Sequence, residues 1–408
     1  MAELAAMTLA REAMAHVPDG ARIIVGSLTG EPRLLMSALE EHAATLRHVD
    51  VWSGMLLSDY SFLRAPSIRF TTWFPPGTVG RRSIPSGRLE YLPLSWSQVT
   101  ATLIELAPES IVMVQVAPAD EDGYHSLGLS AGHIGAIIDD AELVLAEVNP
   151  NLPRTRGRRV HRSRLAVAIP SDTKVPEFPA SPPSDVDRRI AEFVVDLLED
   201  EVTLEIGVGS VPDACLALAA ARGLRGLRIH SAATEGIIEL FEHGALAPGE
   251  NSVRVGEILG SRRLYDFVAD NPVIELVDSR LTHAARELCR IERLYCVNSA
   301  ASVDVFGQVN CEYVHAQHRG AVGGLADFAH AGSWPGNRSI IALRSTTTGE
   351  RESRIVSSLD AATVSLSRDL AQFVVTEYGV ADLRGATVRE RRERLSAIAH
   401  PKFRASLC

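Results

Sequence analysis

Several features of common protein classes are missing from this sequence of 408 residues. It contains no run of roughly 18 uncharged apolar residues, so no membrane-spanning helix is expected. Residues 1–17, MAELAAMTLAREAMAHV, carry acidic and basic side chains within an apolar pattern. That pattern predicts an amphipathic helix rather than a secretory signal, and we therefore expect no membrane partner.

Cysteine is scarce, and its spacing excludes two classes of site. The cysteines are Cys215, Cys289, Cys296, Cys311 and Cys408. Their number is odd, and they show no CxxC pair and no Cys/His ligand spacing of the kind that structural zinc sites and disulfide frameworks need. The sequence therefore predicts a cytoplasmic protein, in a reducing compartment, without a metal site.

An excess of positive charge is also missing, since the formal net charge is −10 at pH 7. Nucleic-acid binding relies on a basic surface, so no nucleic-acid partner is expected. A small anionic ligand would instead need a local basic site.

The length and composition that are present indicate two ordinary globular domains. The hydrophobic content is 46% and the charged content 23%, and the chain is longer than one compact core usually allows. Residues 169–186 are rich in proline, serine and charge, which predicts a linker. We predict an N-terminal domain over residues 1–180 and a C-terminal domain over residues 187–408.

Continuous apolar runs indicate a parallel α/β fold. Such runs are typical of strands that are covered on both faces, and they occur at residues 111–116, 143–148, 340–343 and 372–376. Helical patterns separate them, which predicts α/β layering. Two further strand patterns, at 21–25 and 202–206, each lead into a glycine turn and a proline near a helix start. The predicted fold class is therefore two similar α/β domains with mostly parallel sheets.

The second of these glycine turns is a candidate ligand site. Gly207, Val208 and Gly209 resemble the start of a dinucleotide fingerprint, but Pro212 takes the place of the third glycine. No acidic residue follows at the required spacing, so a nicotinamide site is excluded. A helix start can still bind a phosphate or an oxyanion through its N–H groups. The alternative is a tight turn without a ligand.

Residues 298–328 are the strongest candidate for a reaction centre. The apolar run 294–297 predicts a buried strand, and a hairpin-like turn follows at residues 306–308. A cluster of glycines, Gly320, Gly323 and Gly324, comes next. Polar side chains beside glycines allow a ligand to lie against the backbone. The alternative is an ordinary strand pair with a glycine-rich loop.

A second polar segment, Gly123, Tyr124 and His125, comes after a predicted buried strand. That places it at the carboxyl end of the strand, where open α/β sheets bind ligands, and we expect these residues on the substrate side of the site. His125 is either a base or a hydrogen-bonded residue at the rim of the site, and we favour the rim.

Ordered motifs along nearly the whole chain resemble those of the acetyl-CoA hydrolase/CoA-transferase family, which includes 4-hydroxybutyrate and succinyl-CoA:acetate CoA-transferases. The motifs are GYHSLGLS at 123–130, AEVNPNLPRTRG at 146–157, LEIGVGSVPDACLAL at 204–218, NSAASVDVFGQVNCE at 298–312, GGLADF at 323–328, SIIALRSTTTGERESRIV at 339–356, VTEYGVADLRG at 375–385 and IAHPKFR at 398–404. The resemblance implies two domains of the NagB/RpiA/CoA-transferase type and an active site at their junction. It also implies an acyl-CoA substrate, with coenzyme A bound mainly by the second domain.

One departure from the family pattern bears on the mechanism. The resemblance implies a glutamate nucleophile in a pattern like N-[ST]-A-L-E-V-D, and that position holds Ser302 here. A glutamate can form a glutamyl-CoA thioester, which conserves the energy of the substrate bond for transfer. A serine cannot form that thioester, but it can attack with the help of a base or position a water molecule.

A second departure places His315 and His318 where the family has glycine and small or aromatic residues. Imidazole titrates near neutrality and can take a proton from a hydroxyl. We predict a set in which Ser302 is activated by one of these histidines and a carboxylate orients the base. The candidate carboxylates are Asp304, Glu312 and Asp327. The alternative is that both histidines lie on the surface of a hairpin.

The resemblance also implies the groups that bind the substrate. Gly323 and Gly324 stand where the family presents backbone N–H groups to the thioester oxygen. Asn298 and the turn at Gly207–Gly209 are expected on the coenzyme A side. Arg344 is the main candidate for the coenzyme A phosphates, and Arg319 and Arg338 are the others.

The resulting prediction is an enzyme that hydrolyses or transfers the acyl group of an acyl-CoA without a glutamyl-CoA intermediate. Three alternatives stay open. They are a CoA-transferase that uses another carboxylate such as Glu312, a C–C cleaving or ring-closing enzyme on a larger CoA ester, and a CoA-binding pseudoenzyme. The prevalence of twofold oligomers predicts a homodimer.

Overall fold

The structure, a computed structural model, describes residues 2–61, 65–75, 89–314, 317–359 and 363–407. The chain forms two compact units. The first unit contains residues 1–178 and 255–282, and the second unit contains residues 179–254 and 283–408. The predicted domain limits at 1–180 and 187–408 stay a prediction. None of the described helices is both long and apolar enough to span a bilayer.

The strands have the following bounds: β1 (Arg22–Val25), β2 (Val49–Ser53), β3 (Ile68–Thr72), β4 (Leu89–Tyr91), β5 (Ile111–Val116), β6 (Tyr124–Ser126), β7 (Leu143–Val148), β8 (Arg159–His161), β9 (Val167–Pro170), β10 (Thr203–Ile206), β11 (Arg228–Ala233), β12 (Val253–Ile258), β13 (Ile274–Leu276), β14 (Leu294–Ser299), β15 (Ser302–Asp304), β16 (Val309–Asn310), β17 (Tyr313–Val314), β18 (Gln317–His318), β19 (Arg338–Ala342), β20 (Ile355–Val356), β21 (Phe373–Thr376) and β22 (Gly379–Asp382).

The helices have the following bounds: α1 (Ala2–Ala13), α2 (Arg33–His42), α3 (Trp96–Leu106), α4 (Gly132–Ile137), α5 (Asp185–Val195), α6 (Ser210–Ala221), α7 (Gly236–Glu242), α8 (Arg262–Val268), α9 (Ser279–Thr282), α10 (Ala285–Leu288), α11 (Leu325–Gly332) and α12 (Val388–Ile398). Short 3₁₀ helices cover Met14–His16, Leu28–Gly30, Ala43–Thr45, Ala107–Glu109, Arg162–Arg164 and Pro401–Ser406.

The first unit is built on a parallel sheet with the strand order β4-β3-β2-β1-β5-β7-β9. The chain adds β2, β3 and β4 on one side of β1 and then returns to add β5, β7 and β9 on the other side. All six residues of β5 are buried, as its continuous apolar sequence predicts for a strand covered on both faces. Strands β6 and β8 form a separate antiparallel pair.

The sheet of the second unit repeats this plan. Its strands follow the order β11-β10-β14-β19-β21-β22. They pair in parallel from β11 to β21, while β22 is antiparallel to its neighbour β21. A small sheet, β16-β15-β20, and the hairpin of β17 and β18 follow β14 in the chain. The predicted turn at residues 306–308 joins β15 to β16, and the two strands pair antiparallel as expected.

Helix starts in the second unit follow from local capping. Ser184 accepts a hydrogen bond from the backbone N–H of Asp187 at 3.2 Å, and the Asp187 side chain accepts one from the Ser184 N–H at 3.0 Å. Thr387 and Glu390 form the same reciprocal pair at the start of α12. Each capping box satisfies backbone N–H groups that a helix start leaves without helical partners.

The predicted linker is partly regular structure. Its first two residues belong to β9, and α5 begins at Asp185 near its end. Residues 176–178 lie against the 255–282 segment of the same unit. The Tyr265 hydroxyl donates to the Pro176 carbonyl at 2.7 Å, and the Phe178 N–H donates to the Gly260 carbonyl at 2.8 Å.

A buried carboxylate organises the loop that follows β2. Glu31 is fully buried, and it accepts hydrogen bonds from the N–H groups of Leu57 at 2.7 Å and Ser58 at 3.3 Å and from the Tyr60 hydroxyl. Burial and the nearby Glu31 charge raise the pKa of the Tyr60 hydroxyl, so this hydroxyl remains a donor. The loop is therefore held to α2 by polar bonds inside the core.

We predict that Glu31→Ala destabilises the protein strongly. The substitution leaves buried donors unsatisfied, which costs roughly 2–3 kcal/mol, and the midpoint of thermal unfolding should fall by roughly 5–10 °C. Glu41→Ala is the matched control, because Glu41 lies on the surface and pairs only with exposed Arg11. Equal unfolding midpoints for the two variants would show that the Glu31 network contributes nothing.

Candidate active site

The strand order of the second unit reverses at β10. The chain passes from β10 to β11 on one side and later places β14 on the other side of β10. Helix α6 follows the carboxyl end of β10, whereas β15 follows that of β14. Ligands of open α/β sheets bind where the strand order reverses in this way. We call the region at the carboxyl ends of β10, β11 and β14 the β10 crevice.

The predicted glycine turn lies at the β10 crevice. Gly207 directly follows β10, and its N–H donates to the Val297 carbonyl of β14 at 3.1 Å. Val208 is 37% exposed although it is apolar. Gly209 has φ 139° and ψ −176°, a conformation that favours glycine, and it leads directly into α6. The turn therefore presents backbone and a helix N-terminus to a ligand, an arrangement that suits negative charge.

A buried acid lies directly beneath this turn. Glu205, in β10, is 4% exposed, and one of its oxygens accepts a hydrogen bond from the side-chain amide of Asn298 at 2.8 Å. Burial raises the pKa of Glu205 to about 8, and the Asn298 hydrogen bond opposes this only in part. Glu205 is therefore mostly protonated at pH 7 and adds little negative charge to the crevice. It also fixes the Asn298 side chain near the end of β14.

Glu205 has two buried neighbours on the same face of the sheet. His230 in β11 and Cys296 in β14 are both register partners of Glu205 in parallel strands, so the three side chains point the same way. His230 is 4% exposed, and its ring lies 6.1 Å from that of Phe328 in α11. Burial, followed by the Glu205 charge, raises the pKa of the Cys296 thiol well above its usual value. Cys296 is therefore an inert packing residue.

The predicted glycine pair lies at the start of α11. Gly323 has φ 55°, and Gly324 is the N-cap residue. A side chain at Gly324 would place its Cβ 2.9 Å from the Phe328 ring and 3.0 Å from Nε2 of His283. The rings of His283 and Phe328 are 4.7 Å apart. The close packing explains why glycine is needed here, and Phe328 connects this helix start to the buried face of the crevice at His230.

Ser302 is the first residue of β15, three positions after the end of β14. It is half-buried, and its Oγ accepts a hydrogen bond from the side-chain amide of Asn310 at 3.1 Å. The same amide donates to the Tyr313 carbonyl at 2.7 Å. Asn310 is almost fully buried, so it holds the Ser302 hydroxyl in a defined position.

The Asp304 side chain accepts its hydrogen bonds from the turn that follows β15. Its Oδ1 accepts hydrogen bonds from the N–H groups of Phe306 at 3.0 Å and Gln308 at 2.9 Å, and its Oδ2 accepts one from the Gln308 side chain at 2.7 Å. Both oxygens are thus engaged in closing the β15–β16 hairpin. Of the carboxylates proposed to orient a base, Asp304 is therefore the one with a clear structural role.

His318 and Glu312 lie close to one another around the β17–β18 hairpin. The rings of His318 and Tyr313 stack with centroids 5.1 Å apart. Burial lowers the pKa of His318, although the Glu312 charge opposes that shift, so His318 is neutral at pH 7 and can accept a proton. Glu312 is buried, and its Oε2 accepts a hydrogen bond from the Ser365 hydroxyl at 2.6 Å. His315 lies outside the described residues.

Arg344 is paired with a buried acid. Its guanidinium donates two hydrogen bonds to Asp187, at 2.8 and 2.7 Å. Burial alone would raise the pKa of Asp187, but the bonds from Arg344 and Ser184 lower it to about 2. Ser210, the first residue of α6, also donates to Asp187 at 3.1 Å. Arg344 therefore supports the helices beside the crevice, and its role towards coenzyme A phosphates stays a prediction.

The residues predicted on the substrate side belong to the first unit. Gly123 has φ 82°, and Tyr124 is 38% exposed beside the His161 ring at 4.9 Å. His125 is buried, and its Nδ1 bonds to the Ala117 carbonyl at 2.8 Å. Because Ala117 directly follows β5, this contact ties β6 to the end of that strand. His125 is thus a buried structural residue in this unit.

Glu205 and His230 were not predicted from the sequence. Glu205 interrupts the apolar run of residues 202–206 directly before a glycine turn, and that pattern is a usable signal for a buried acid. His230 gives a weaker signal, because a single histidine in an apolar strand is usually only a core residue. Their shared face is visible only once the strand register is known.

Comparisons with known proteins agree with this architecture. The acetyl-CoA hydrolase/transferase N-terminal domain matches residues 5–176, and the C-terminal domain of the same family matches residues 260–408. The 4-hydroxybutyrate coenzyme A transferase of Clostridium kluyveri is 31% identical over 414 residues, which cover 98% of this chain and 96% of that protein.

Two solved structures show the same fold. The crystal structure of 4-hydroxybutyrate CoA-transferase from Porphyromonas gingivalis has a TM-score of 0.80 at 30% identity, covering 98% of this chain and 95% of that one. RipA from Yersinia pestis has a TM-score of 0.89 at 24% identity, covering 100% of this chain and 98% of that one.

The chain therefore belongs to the acetyl-CoA hydrolase/transferase family. It is an enzyme that processes acyl-CoA by hydrolysis or transfer, so coenzyme A enters as part of its substrate. The predicted family and the predicted fold class of two α/β domains with mostly parallel sheets are confirmed.

We predict that Glu205 makes folding stability depend on pH. In the unfolded chain this carboxyl loses its proton near 4.5, whereas in the folded protein it keeps the proton up to about 8. Its stabilising contribution is therefore complete below the unfolded pKa and is lost as the pH rises through about 8. Thermal unfolding midpoints should fall more steeply between pH 5 and pH 9 for the wild type than for Glu205→Gln.

Glu109→Gln is the matched control for this measurement, because Glu109 is exposed. Its unfolding midpoints should follow those of the wild type across the pH range. If Glu205→Gln also follows the wild type, Glu205 does not hold a proton in the folded state.

Proposed function

We propose that this enzyme cleaves an acyl-CoA thioester at the β10 crevice, by hydrolysis or acyl transfer that does not pass through a glutamyl-CoA thioester. The observation that carries the proposal is the convergence of the glycine turn, Asn298 and the start of α6 at the carboxyl ends of β10 and β14. This is the position at which an open α/β sheet binds its ligand.

The charges near the crevice support an anionic substrate. Glu205 is held neutral by burial, and Asp187 is neutralised by Arg344. Coenzyme A esters carry several negative charges, and the neutrality of these two acids reduces the repulsion that such a ligand meets in a protein of net charge −10. Backbone N–H groups at the starts of α6 and α11 are suited to polarise a thioester carbonyl.

Ser302 is the proposed nucleophile. Its hydroxyl oxygen attacks the thioester carbonyl carbon, the C–S bond breaks, and the hydroxyl proton passes to the departing coenzyme A sulfur. The acyl group is then an ester on Ser302, and water or another acceptor releases it. The hydrogen bond from Asn310 keeps the hydroxyl oriented, and the half-buried position leaves it accessible.

His318 is the proposed base, with Glu312 as its electrostatic partner. Support comes from the lowered pKa of His318, which leaves the imidazole neutral at pH 7, and from the nearby Glu312 charge, which favours the imidazolium once a proton arrives. Asn310 connects the two parts of this group, since it bonds to Ser302 and to Tyr313, on which His318 stacks.

A second candidate is CoA transfer through another carboxylate. The relative from Clostridium kluyveri is named a coenzyme A transferase, which favours an acid as the acceptor. Glu312 follows Ser302 in the same segment of the chain, and it is buried and bonded to Ser365. Covalent chemistry at Glu312 would require that this bond be released.

Three further predictions concern the cellular location, the metal content and the oligomeric state of the enzyme. Cys215, Cys289, Cys296 and Cys311 are free thiols, which suits a reducing cytoplasm. That the enzyme needs no metal stays a prediction; among the residues the structure describes, no group of three or more His, Cys, Asp or Glu side chains could hold a metal ion. The general prevalence of twofold oligomers supports a homodimer.

The first test is release of coenzyme A thiol from a panel of short acyl-CoAs, with and without a carboxylic acid as acceptor. We expect thiol release by the wild type, and Ser302→Ala should reduce kcat/KM by roughly 10²-fold or more, because the attacking group is lost. Ser367→Ala is the control, because Ser367 is exposed and pairs with Asp369. Unchanged turnover in Ser302→Ala would remove Ser302 from the mechanism.

The second test separates the two candidate routes. The enzyme is mixed with acyl-CoA, quenched, and examined by mass spectrometry before and after borohydride treatment. An acyl adduct on Ser302 is the expected result. A coenzyme A adduct on a glutamate that borohydride reduces, together with inactivity of Glu312→Gln, would establish CoA transfer instead.

A further inference from the structure

Ser231 has an unusual backbone conformation within β11. Its φ is 86°, although it is not glycine. The other described non-glycine residues with positive φ lie between 50° and 58°, inside the ordinary left-handed region. They are Leu28, Glu201, Asn251, Asp270, Arg293 and Glu350. Ser231 lies outside that region, so its conformation is strained for a residue with a side chain.

The position of Ser231 connects this strain to the β10 crevice. Glu205 and His230 are register partners in parallel strands, so Ser231 is level with Ile206, the last residue of β10. The next residue along β10 is Gly207, where the glycine turn begins. Ser231 is half-buried, which leaves part of it accessible at this edge of the sheet.

The chain segments before and after Ser231 are closely packed. On one side His230 belongs to the parallel ladder and is buried against Phe328. On the other side Gly236, at the start of α7, packs so closely on α6 that an added Cβ would lie 2.6 Å from Leu216. Strained conformations persist only where the neighbouring structure fixes them, and they cluster at functional sites.

We propose that Ser231 is a further catalytic residue, whose hydroxyl donates a hydrogen bond to the carbonyl oxygen of the acyl-CoA thioester in the β10 crevice. This inference rests on the proposed function, because it places the thioester in that crevice. Ser231 donates to the oxygen that gains negative charge when the carbonyl carbon is attacked, and it forms no covalent bond itself. The strained backbone is the cost of presenting the hydroxyl there.

The test uses two substitutions at this position. Ser231→Ala removes the hydroxyl but keeps a Cβ, so the strain of the positive φ remains. Ser231→Gly removes the hydroxyl and relieves the strain. Both should lower kcat/KM for acyl-CoA by roughly 10²-fold, as expected for loss of one donor to a developing oxyanion. Ser231→Gly should also unfold at a temperature roughly 2 °C or more above that of Ser231→Ala.

Ser252→Ala is the matched control, because Ser252 is a buried serine of the same unit whose backbone carbonyl bonds to Ile229 of β11. It should retain wild-type turnover. If Ser231→Ala folds and turns over like the wild type, the hydroxyl is not catalytic and the proposal is overturned.

A binding measurement keeps this result separate from the proposed function. The probe is a CoA thioether that carries a ketone in place of the thioester, titrated by calorimetry. Ser231→Ala should bind it roughly 3–10-fold more weakly than the wild type and should bind free coenzyme A equally well. If the wild-type enzyme binds the ketone but turns over no acyl-CoA, only the proposed function is refuted. Equal ketone affinity in the wild type and Ser231→Ala would refute only the role of Ser231.

Discussion

The reversal of strand order at β10 is the constraint on which the candidate site depends. Since β11 and β14 are placed on opposite sides of β10, three carboxyl ends meet at one edge of a parallel sheet. The glycine turn, Asn298 and the strained Ser231 are brought to this edge by register alone, although nearly a hundred residues separate the first strand from the last. The strand order of the first unit reverses at β1 in the same way, so the chain contains two similar sheets.

The chemistry of the crevice depends on the protonation states and hydrogen bonds of the carboxyl groups in the second unit. A buried carboxyl without a strong cationic partner keeps its proton, as Glu205 does, whereas Asp187 is ionised because Arg344 faces it. Asp304 uses both oxygens in a hairpin turn. In the proposed mechanism the attacking group is the hydroxyl of Ser302 and the base is the imidazole of His318. An ester on a hydroxyl does not conserve thioester energy, so this proposal predicts release of the acyl group rather than an exchange of coenzyme A between acids.

Much of the fold could be predicted from the sequence, because buried parallel strands have a strong local signal. The bounds of β5 and β7 agree with the predicted runs, and the turn between β15 and β16 was visible in Phe306, Gly307 and Gln308. The motif resemblance led to the correct family because many family motifs occur in the same order along the chain. The buried group around Glu205 could not be predicted, because it depends on which residues of separate strands become register partners. The strain at Ser231 leaves no trace in the sequence, because serine carries no local signal for a positive φ.

The most direct measurement of the central claim is a crystal structure with coenzyme A or an unreactive acyl-CoA analogue bound. The thioester carbonyl, or the sulfur in free coenzyme A, should lie against the glycine turn at Gly207–Gly209. A group that attacks the carbonyl should approach it to roughly 3–3.5 Å. Ser302 is the expected group. A ligand whose sulfur lies away from the carboxyl ends of β10 and β14, or a coenzyme covalently attached to a side-chain carboxyl, would contradict this account.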